Sequence, residues 1–125
     1  MIMLDTDILI DLIRGHPAAL SWLGSLPVRP LVSGFAALEL AFGSQNAVEL
    51  ANVSAFLAQF RILWPAEVEA AHSLEYARLK LSHGVGVLDA LTAAIALRRR
   101  VPLGTFNVRH FGAIPGLATA QPYAR

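Results

Sequence analysis

The sequence predicts a single α/β domain built on a short, mostly parallel sheet of four or five strands, with helices on both faces. Three observations predict it. The chain has 125 residues, 55% of them hydrophobic and only 15% charged, which suits one domain with an almost fully wrapped core and excludes a disordered chain. Short apolar runs bounded by Asp, Pro and Gly alternate with longer segments of three- to four-residue apolar periodicity. The connections between runs are far longer than a hairpin turn, so crossovers join the strands.

The first element is a buried strand over Ile2 to Leu4, ending in Asp5. The run Asp7 to Ile13 then has helical spacing, giving strand, acidic turn and helix. Thr6 or Asp7 is suited to cap that helix, and Asp11 precedes Arg14 at the spacing of a surface ion pair. Pro17 opens a second helix running through Leu23, left by way of Pro27 and Pro30. Leu31 to Ser33 is the second strand. A helix starts at Gly34, with Leu38, Ala41 and Phe42 as its apolar stripe and Glu39 one turn inside. Ala47 to Phe60 is a helix with a wide apolar face, and Arg61 to Trp64 is the third strand, stopped by Pro65. Glu67 to Ser82 reads as one helix, its Val68, Ala71, Leu74 and Leu81 opposite Glu69, Glu75 and Lys80, closed by His83-Gly84. Val87 to Arg100 is a helix with Asp89 in its first turn and Arg98, Arg99 and Arg100 at the end whose dipole favours cations. Val101 to Thr105 is the fourth strand, and Leu117 to Thr119 is a candidate fifth at the sheet edge.

Ten Lys and Arg against nine Asp and Glu leave a net charge of +1, so no overall basic field steers the chain toward nucleic acid and any polyanion site is local. The lack of cysteine removes disulfides, thiolate nucleophiles and zinc fingers together, and favours a reducing cytoplasm. The opening Met1-Ile2-Met3-Leu4 is interrupted by Asp5 and Asp7 and lacks the basic start of a signal peptide. The uncharged run Leu50 to Phe60 is well short of the ~20 residues of a membrane-spanning helix, so no membrane association is expected.

The chemistry is carried by carboxylates. Of four aspartates, Asp5, Asp7 and Asp11 fall within one strand-to-helix transition and Asp89 begins a strongly apolar helix, which is not the distribution of a solvated surface. A buried, isolated carboxylate at Asp5 is costly without cations or hydrogen-bond donors. Glu39 has no Lys or Arg nearby in sequence, and Asp89 taken alone merely complements the helix dipole. Ligands of open α/β sheets bind beyond the carboxyl ends of the strands, where Asp5, Glu39 and Asp89 are suited to hold a hard cation such as Mg²⁺ or Mn²⁺. Carboxylates around such a cation, with a phosphate and a polarised water, are the chemistry of phosphodiester hydrolysis. His16, His72 and His83 read as structural or solvated. His110 follows the fourth strand beside Arg109 and near Asn107, where Arg109 and His110 would contact substrate phosphates.

Four segments occur in order across nearly the whole chain: Met3-Leu4-Asp5-Thr6-Asp7-Ile8-Leu9-Ile10-Asp11, Glu39-Leu40-Ala41-Phe42-Gly43, Leu88-Asp89-Ala90-Leu91-Thr92-Ala93-Ala94 and Thr105-Phe106-Asn107-Val108-Arg109-His110-Phe111. With them the chain resembles a PIN-domain ribonuclease of the VapC toxin type. The resemblance implies a PIN-like three-layer nuclease domain over residues 1–125. It also implies a cytoplasmic, metal-dependent endoribonuclease, the toxin of a type II toxin–antitoxin pair, acting on structured RNA such as transfer or ribosomal RNA. Asp5, Glu39 and Asp89 match the family's acidic metal-site positions, with Asp5 and Asp89 binding Mg²⁺ or Mn²⁺ and Glu39 doing so directly or through water. Asn107 falls on the fourth catalytic position, Thr105 supplies a hydroxyl that orients ligands or water, and Asp7 adds negative charge. The resemblance further implies a homodimer silenced by a cognate VapB-type antitoxin, whose C-terminal segment wraps the toxin and which performs any DNA binding. Two alternatives stand beside it. An apolar strand followed by Asp5-Thr6-Asp7 also resembles the opening of haloacid-dehalogenase-like phosphotransferases, which want a lysine where this chain has only Lys80. The other is a non-catalytic interaction module on the same fold.

Overall fold

Alternation of side chains along very short strands sets the layers of the molecule. The computed structural model describes residues 1–125. The chain runs β1 (Met3–Leu4), α1 (Thr6–Ile13), α2 (Pro17–Ser25), β2 (Leu31–Ser33), α3 (Gly34–Phe42), α4 (Ala47–Leu57), β3 (Arg61–Leu63), α5 (Glu67–His72), a 3₁₀ turn (Ser73–Tyr76), α6 (Arg78–His83), α7 (Val87–Arg99), β4 (Leu103–Gly104), α8 (Val108–Gly112) and β5 (Thr119–Ala120). Met3, Leu31, Leu63 and Leu103 point into one core with Leu79, Ile95 and Phe111 from the later helices. Leu4 and Val32 point the other way, onto Ile8, Leu9, Ala36 and Leu40 from the earlier ones. Burying each such Leu, Ile or Phe is worth roughly 1.5–3 kcal/mol, which is how strands of two or three residues are held between two helical layers.

The strands lie in the order β3-β2-β1-β4-β5. Every neighbouring pair is parallel, so the sheet expected to be mostly parallel is wholly so. From central β1 the chain moves outward through β2 to β3, then returns to lay β4 on the other side of β1. The order therefore reverses between β1 and β4, which makes the crevice beyond their carboxyl ends the ligand position for this class of sheet. Asp5 follows β1 and Thr105 follows β4. The Asp5 amide donates to the Gly104 carbonyl at 2.9 Å, setting the two turns side by side.

Several elements depart from expectation for identifiable reasons. The helix predicted over Glu67 to Ser82 is broken into α5, the 3₁₀ turn and α6. The Ser73 hydroxyl donates back to the Glu69 carbonyl at 3.4 Å, a local bond that loosens the helical ladder at the break. Of the stripe predicted on α3, Leu38 and Phe42 point outward, Phe42 being 86% exposed. The buried side is Ala36, Ala37 and Leu40, because small residues allow close approach to the sheet. A helix apolar on most of its circumference does not announce which side faces inward. Val48 and Leu50 on α4, and Val68, Leu74 and Leu81 on the α5–α6 layer, are likewise exposed rather than buried. The helix α8 has no counterpart among the predicted elements, and the fifth strand is Thr119–Ala120, shifted from the expected Leu117 to Thr119. No helix is long and apolar enough to cross a membrane.

Arg100 ends α7 in the left-handed region, at φ 55°. A side chain there meets its own carbonyl, so Arg100→Gly is expected to stabilise the chain by roughly 0.5–1 kcal/mol, net of the freedom glycine gives the unfolded state. A higher urea midpoint would show this gain, and a lower one would contradict it.

Candidate active site

Asp5 leaves β1 with extended backbone and caps α1, its carboxylate accepting from the Thr6 amide at 2.8 Å. This corrects the expectation that Thr6 or Asp7 is the cap. The other carboxylate oxygen, Oδ2, accepts from the hydroxyl of fully buried Thr105 at 2.8 Å. Burial pushes the Asp5 carboxyl up to about 7, helped by the charges of Asp7 and Asp89 and opposed by the bonds from Thr105 and Thr6. Asp7 Oδ2 accepts from the Phe106 amide at 2.8 Å and lies 3.4 Å from the Thr105 hydroxyl. Its Oδ1 is buried without a hydrogen-bond partner. Burial raises this carboxyl too, against the Phe106 and Ile8 amides and the Arg125 charge. Thr105, expected as an orienting hydroxyl, is the hinge between the two acids, and it accepts from the Asn107 amide at 2.9 Å.

Glu39 and Asp89 arrive on separate helices. Ser33 caps α3 by accepting from the Phe35 and Ala36 amides. The buried Thr92 hydroxyl, one turn beyond Asp89, donates to the Ser33 hydroxyl at 3.1 Å. That bond ties α7 to the start of α3 and so fixes the two acids relative to one another. The Thr6 hydroxyl donates to Glu39 Oε1 at 3.4 Å, bringing exposed Glu39 to the start of α1. Partial burial and the charge of Asp89 hold the Glu39 carboxyl above its usual range. Asp89 Oδ2 accepts from the Gly86 amide at 3.3 Å, so its capping role is real, and it also acts electrostatically on both Asp5 and Glu39. Asp7 and Asp89 thus act on Asp5, and Asp89 on Glu39, so that acids from three elements lie within electrostatic reach of one another.

Asn107 starts α8 beside this crevice, and its Nδ2 is 2.8 Å from His110 Nδ1. The His110 ring also lies against Gly84, ahead of α7. His110 Nδ1 therefore meets the Asn107 amide and orients it. Arg109 is exposed on α8 and pairs with no acid, since the one ion pair of the molecule joins Arg125 to Asp11. Asp11 is thereby corrected as well: its partner is Arg125, at 2.9 Å, and not neighbouring Arg14. Lys80 lines a separate groove with Leu74 and Val87, away from the Asp5 to Asp7 turn.

The donor chemistry fits a hard divalent cation. Every candidate ligand atom is a carboxylate or amide oxygen, one buried carboxylate oxygen lacks a partner, and like charges face one another without a basic side chain between Asp5, Glu39 and Asp89. No three acidic or histidine side chains stand close enough to form a ready-made ligand set, and a cation such as Mg²⁺ keeps several waters and takes only one or two carboxylates directly. What sequence reasoning overlooked are Ser33, Thr92, Tyr123, Arg125 and the backbone amide of Phe106. Ser33 was signalled by its place between a strand and a helix, and Thr92 by being polar within an alanine-rich segment.

A crevice lined by acids at the switch point of a five-stranded parallel sheet defines a class of protein, and the family comparisons give the same answer. Residues 2–117 match the family model of the PIN domain; the chain belongs to the PIN-domain family, and its three layers are those the resemblance implied. Within the family it is 35% identical to Ribonuclease VapC10 of Mycobacterium tuberculosis over 114 residues, covering 89% of this chain and 86% of that protein. Its structure is similar to a toxin–antitoxin complex from Klebsiella pneumoniae, with a TM-score of 0.80, 28% identity and 98% of each chain covered. It is also similar to the DNA-bound VapBC of Salmonella typhimurium, with a TM-score of 0.81, 26% identity, and 95% of this chain and 96% of that one covered.

Proposed function

We propose that the chain is a VapC-type toxin, a Mg²⁺- or Mn²⁺-dependent endoribonuclease that cuts structured RNA such as transfer or ribosomal RNA. The observation that carries this reading is the gathering of acids at the switch point, where burial raises the carboxyls of Asp5, Asp7 and Glu39 and the charge of Asp89 acts on both Asp5 and Glu39. Such a cluster is incomplete without a cation. When bound, the cation would offset that repulsion, polarise a phosphodiester and lower the pKa of a water. Asp5 and Asp89 would hold it, with Glu39 direct or through water. Thr105 fixes the Asp5 carboxylate by its hydroxyl, and His110 fixes the Asn107 amide at the rim. Because the Asp5 carboxyl sits near 7 on its own, cation uptake near neutral pH releases a proton from it.

Partners follow from the uncovered apolar surface. A groove of about 500 Å³ between α1, α3 and α4 is lined by Ile10, Ile13, Leu40 and Val53 and reaches Glu39. It also contains Ser44, whose buried hydroxyl has no partner. This groove suits the wrapping segment of a VapB-type antitoxin, in keeping with the toxin–antitoxin complexes among the structural relatives. On the other layer Leu74 is 78% and Leu81 91% exposed, and Leu74 lines a groove with Val87 and Leu91, apolar surface that suits a second copy in a homodimer.

The test is to incubate the purified chain, freed of any partner, with total RNA and Mn²⁺. Discrete cleavage is expected, abolished by EDTA and reduced at least ~10²-fold in Glu39→Gln and Asp89→Asn. Intact RNA with a folded chain and saturating cation would overturn the nuclease reading in favour of a non-catalytic interaction module. Phosphate trapped on Asp5 would point instead to the phosphotransferase alternative.

A further inference from the structure

The segment after β5 folds back across α1 and closes on the edge of the acid pocket. Arg125 meets Asp11 with two prongs, Nε to Oδ2 at 2.9 Å and Nη2 to Oδ1 at 3.0 Å. The Tyr123 hydroxyl donates to the same Oδ2 at 2.8 Å. The guanidinium of Arg125 then lies over the Phe106 ring, 4.3 Å from its centroid, while its Nη2 also donates to the Asp7 carbonyl at 3.3 Å. The Tyr123 ring meets Phe106 edge-on at 5.1 Å and stacks with His16 at 5.7 Å. Arg125 thus grips both partners of one joint, the bond from the Phe106 amide to the Asp7 carboxylate.

We propose that Tyr123 to Arg125 form a clasp that positions the pocket, with Arg125 and Tyr123 as positioning residues that do not touch substrate. Their grip sets the turn from Thr105 to Asn107 against the turn from Asp5 to Asp7. Through Thr105, whose hydroxyl bonds Asp5, that register decides where the Asp5 carboxylate points. An exposed ion pair adds little to the stability of a whole fold, so the consequence of the clasp is local order. What the pocket does rests on the nuclease reading, whereas the clasp itself does not.

The experiment compares the full chain with Arg125→Ala, Arg125→Lys, Asp11→Asn and the remote control Arg98→Ala. It reads amide hydrogen exchange at Phe106, Mn²⁺ affinity by calorimetry, and RNA cleavage as a function of Mn²⁺. Arg125→Ala and Asp11→Asn are expected to speed exchange at Phe106 about tenfold or more and to weaken Mn²⁺ binding ~10–100-fold, the usual effect of losing a residue that orients a ligand. Cleavage should return at high Mn²⁺, so that the half-saturating concentration moves more than the maximal rate. Arg125→Lys keeps the charge without the fork and should recover only part of the loss, while Arg98→Ala should match the parent. Unchanged Phe106 exchange, unchanged Mn²⁺ affinity, or protection lost evenly over the whole chain would each overturn the proposal. A parent chain that leaves RNA intact, with Phe106 still released and Mn²⁺ still weakened in Arg125→Ala, would sink the nuclease reading and uphold the clasp.

Discussion

Asp5→Asn is expected to lower RNA cleavage by at least ~10²–10³-fold and, in chelator at about pH 8, to raise the melting temperature. The two effects have one origin. The Asp5 carboxyl, pushed up to about 7 chiefly by burial and then by Asp7, is ionised at pH 8 only at a cost in the absence of a cation. A folded-state value above the unfolded one means that the Asp5 contribution to stability is fully present below about pH 4 and is lost as pH rises through about 7. The gap from the ordinary 3.8 to about 7 sets an upper bound of about 4 kcal/mol on that loss. Asparagine keeps the shape and removes the charge. Its oxygen can accept from the Thr6 amide and its NH₂ can donate to Thr105, whose hydroxyl hydrogen then turns to Asp7 Oδ2, 3.4 Å away. Calorimetric melts of both chains in EDTA should therefore diverge between about pH 4 and 8, with the parent falling and the variant lacking that decline. Saturating Mn²⁺ should reverse the ranking, since only the chain that binds the cation gains stability from it. Equal cleavage by the two chains would remove Asp5 from the chemistry.

Phe111→Ala should give the largest loss of stability of any substitution considered, about 3–5 kcal/mol. Phe111 is fully buried with Met3, Leu103 and Ile114 in the core beneath β4. It is the buried residue of α8, a helix too short to persist alone. Truncation opens a cavity and unseats the element that carries Asn107 and His110. Against a typical net stability of 5–15 kcal/mol, the loss is enough to leave part of the population unfolded. Urea denaturation should show the midpoint fall, whereas Arg109→Ala, exposed on the same helix, should stay within about 0.5 kcal/mol of the parent. A Phe111 variant as stable as the parent would mean that α8 is not anchored through this ring.

What the sequence disclosed and what it withheld divide along physical lines. The β1 to α1 transition was legible because a buried strand ending in an acid has few explanations, and the sheet class followed from crossover lengths. The outward turn of Leu38 and Phe42 was hidden because α3 is apolar on most of its surface. The break at Ser73 was hidden because one side-chain bond to a carbonyl leaves no mark on periodicity. Asp5 and Glu39 were legible as acids lacking local counter-charges, whereas Asp89 taken alone read as a complement to its helix dipole and gained weight only beside them. The partner of Asp11 was not, for Arg14 offered a nearby and plausible cation while the actual one stands 114 residues away. The pairing of His110 with Asn107 spans only three residues, yet nothing in the letters distinguishes it from two side chains facing solvent.

The bonds from Thr105 to Asp5 and from Phe106 to Asp7 join positions 100 and 99 residues apart. Until synthesis has passed both ends of that span and the strands have paired, Asp5 and Asp7 have neither of these donors. A nascent chain that stops short of Thr105 therefore lacks the donors that orient Asp5 and Asp7, and this corner of the pocket takes shape only when the fourth strand has docked beside the first.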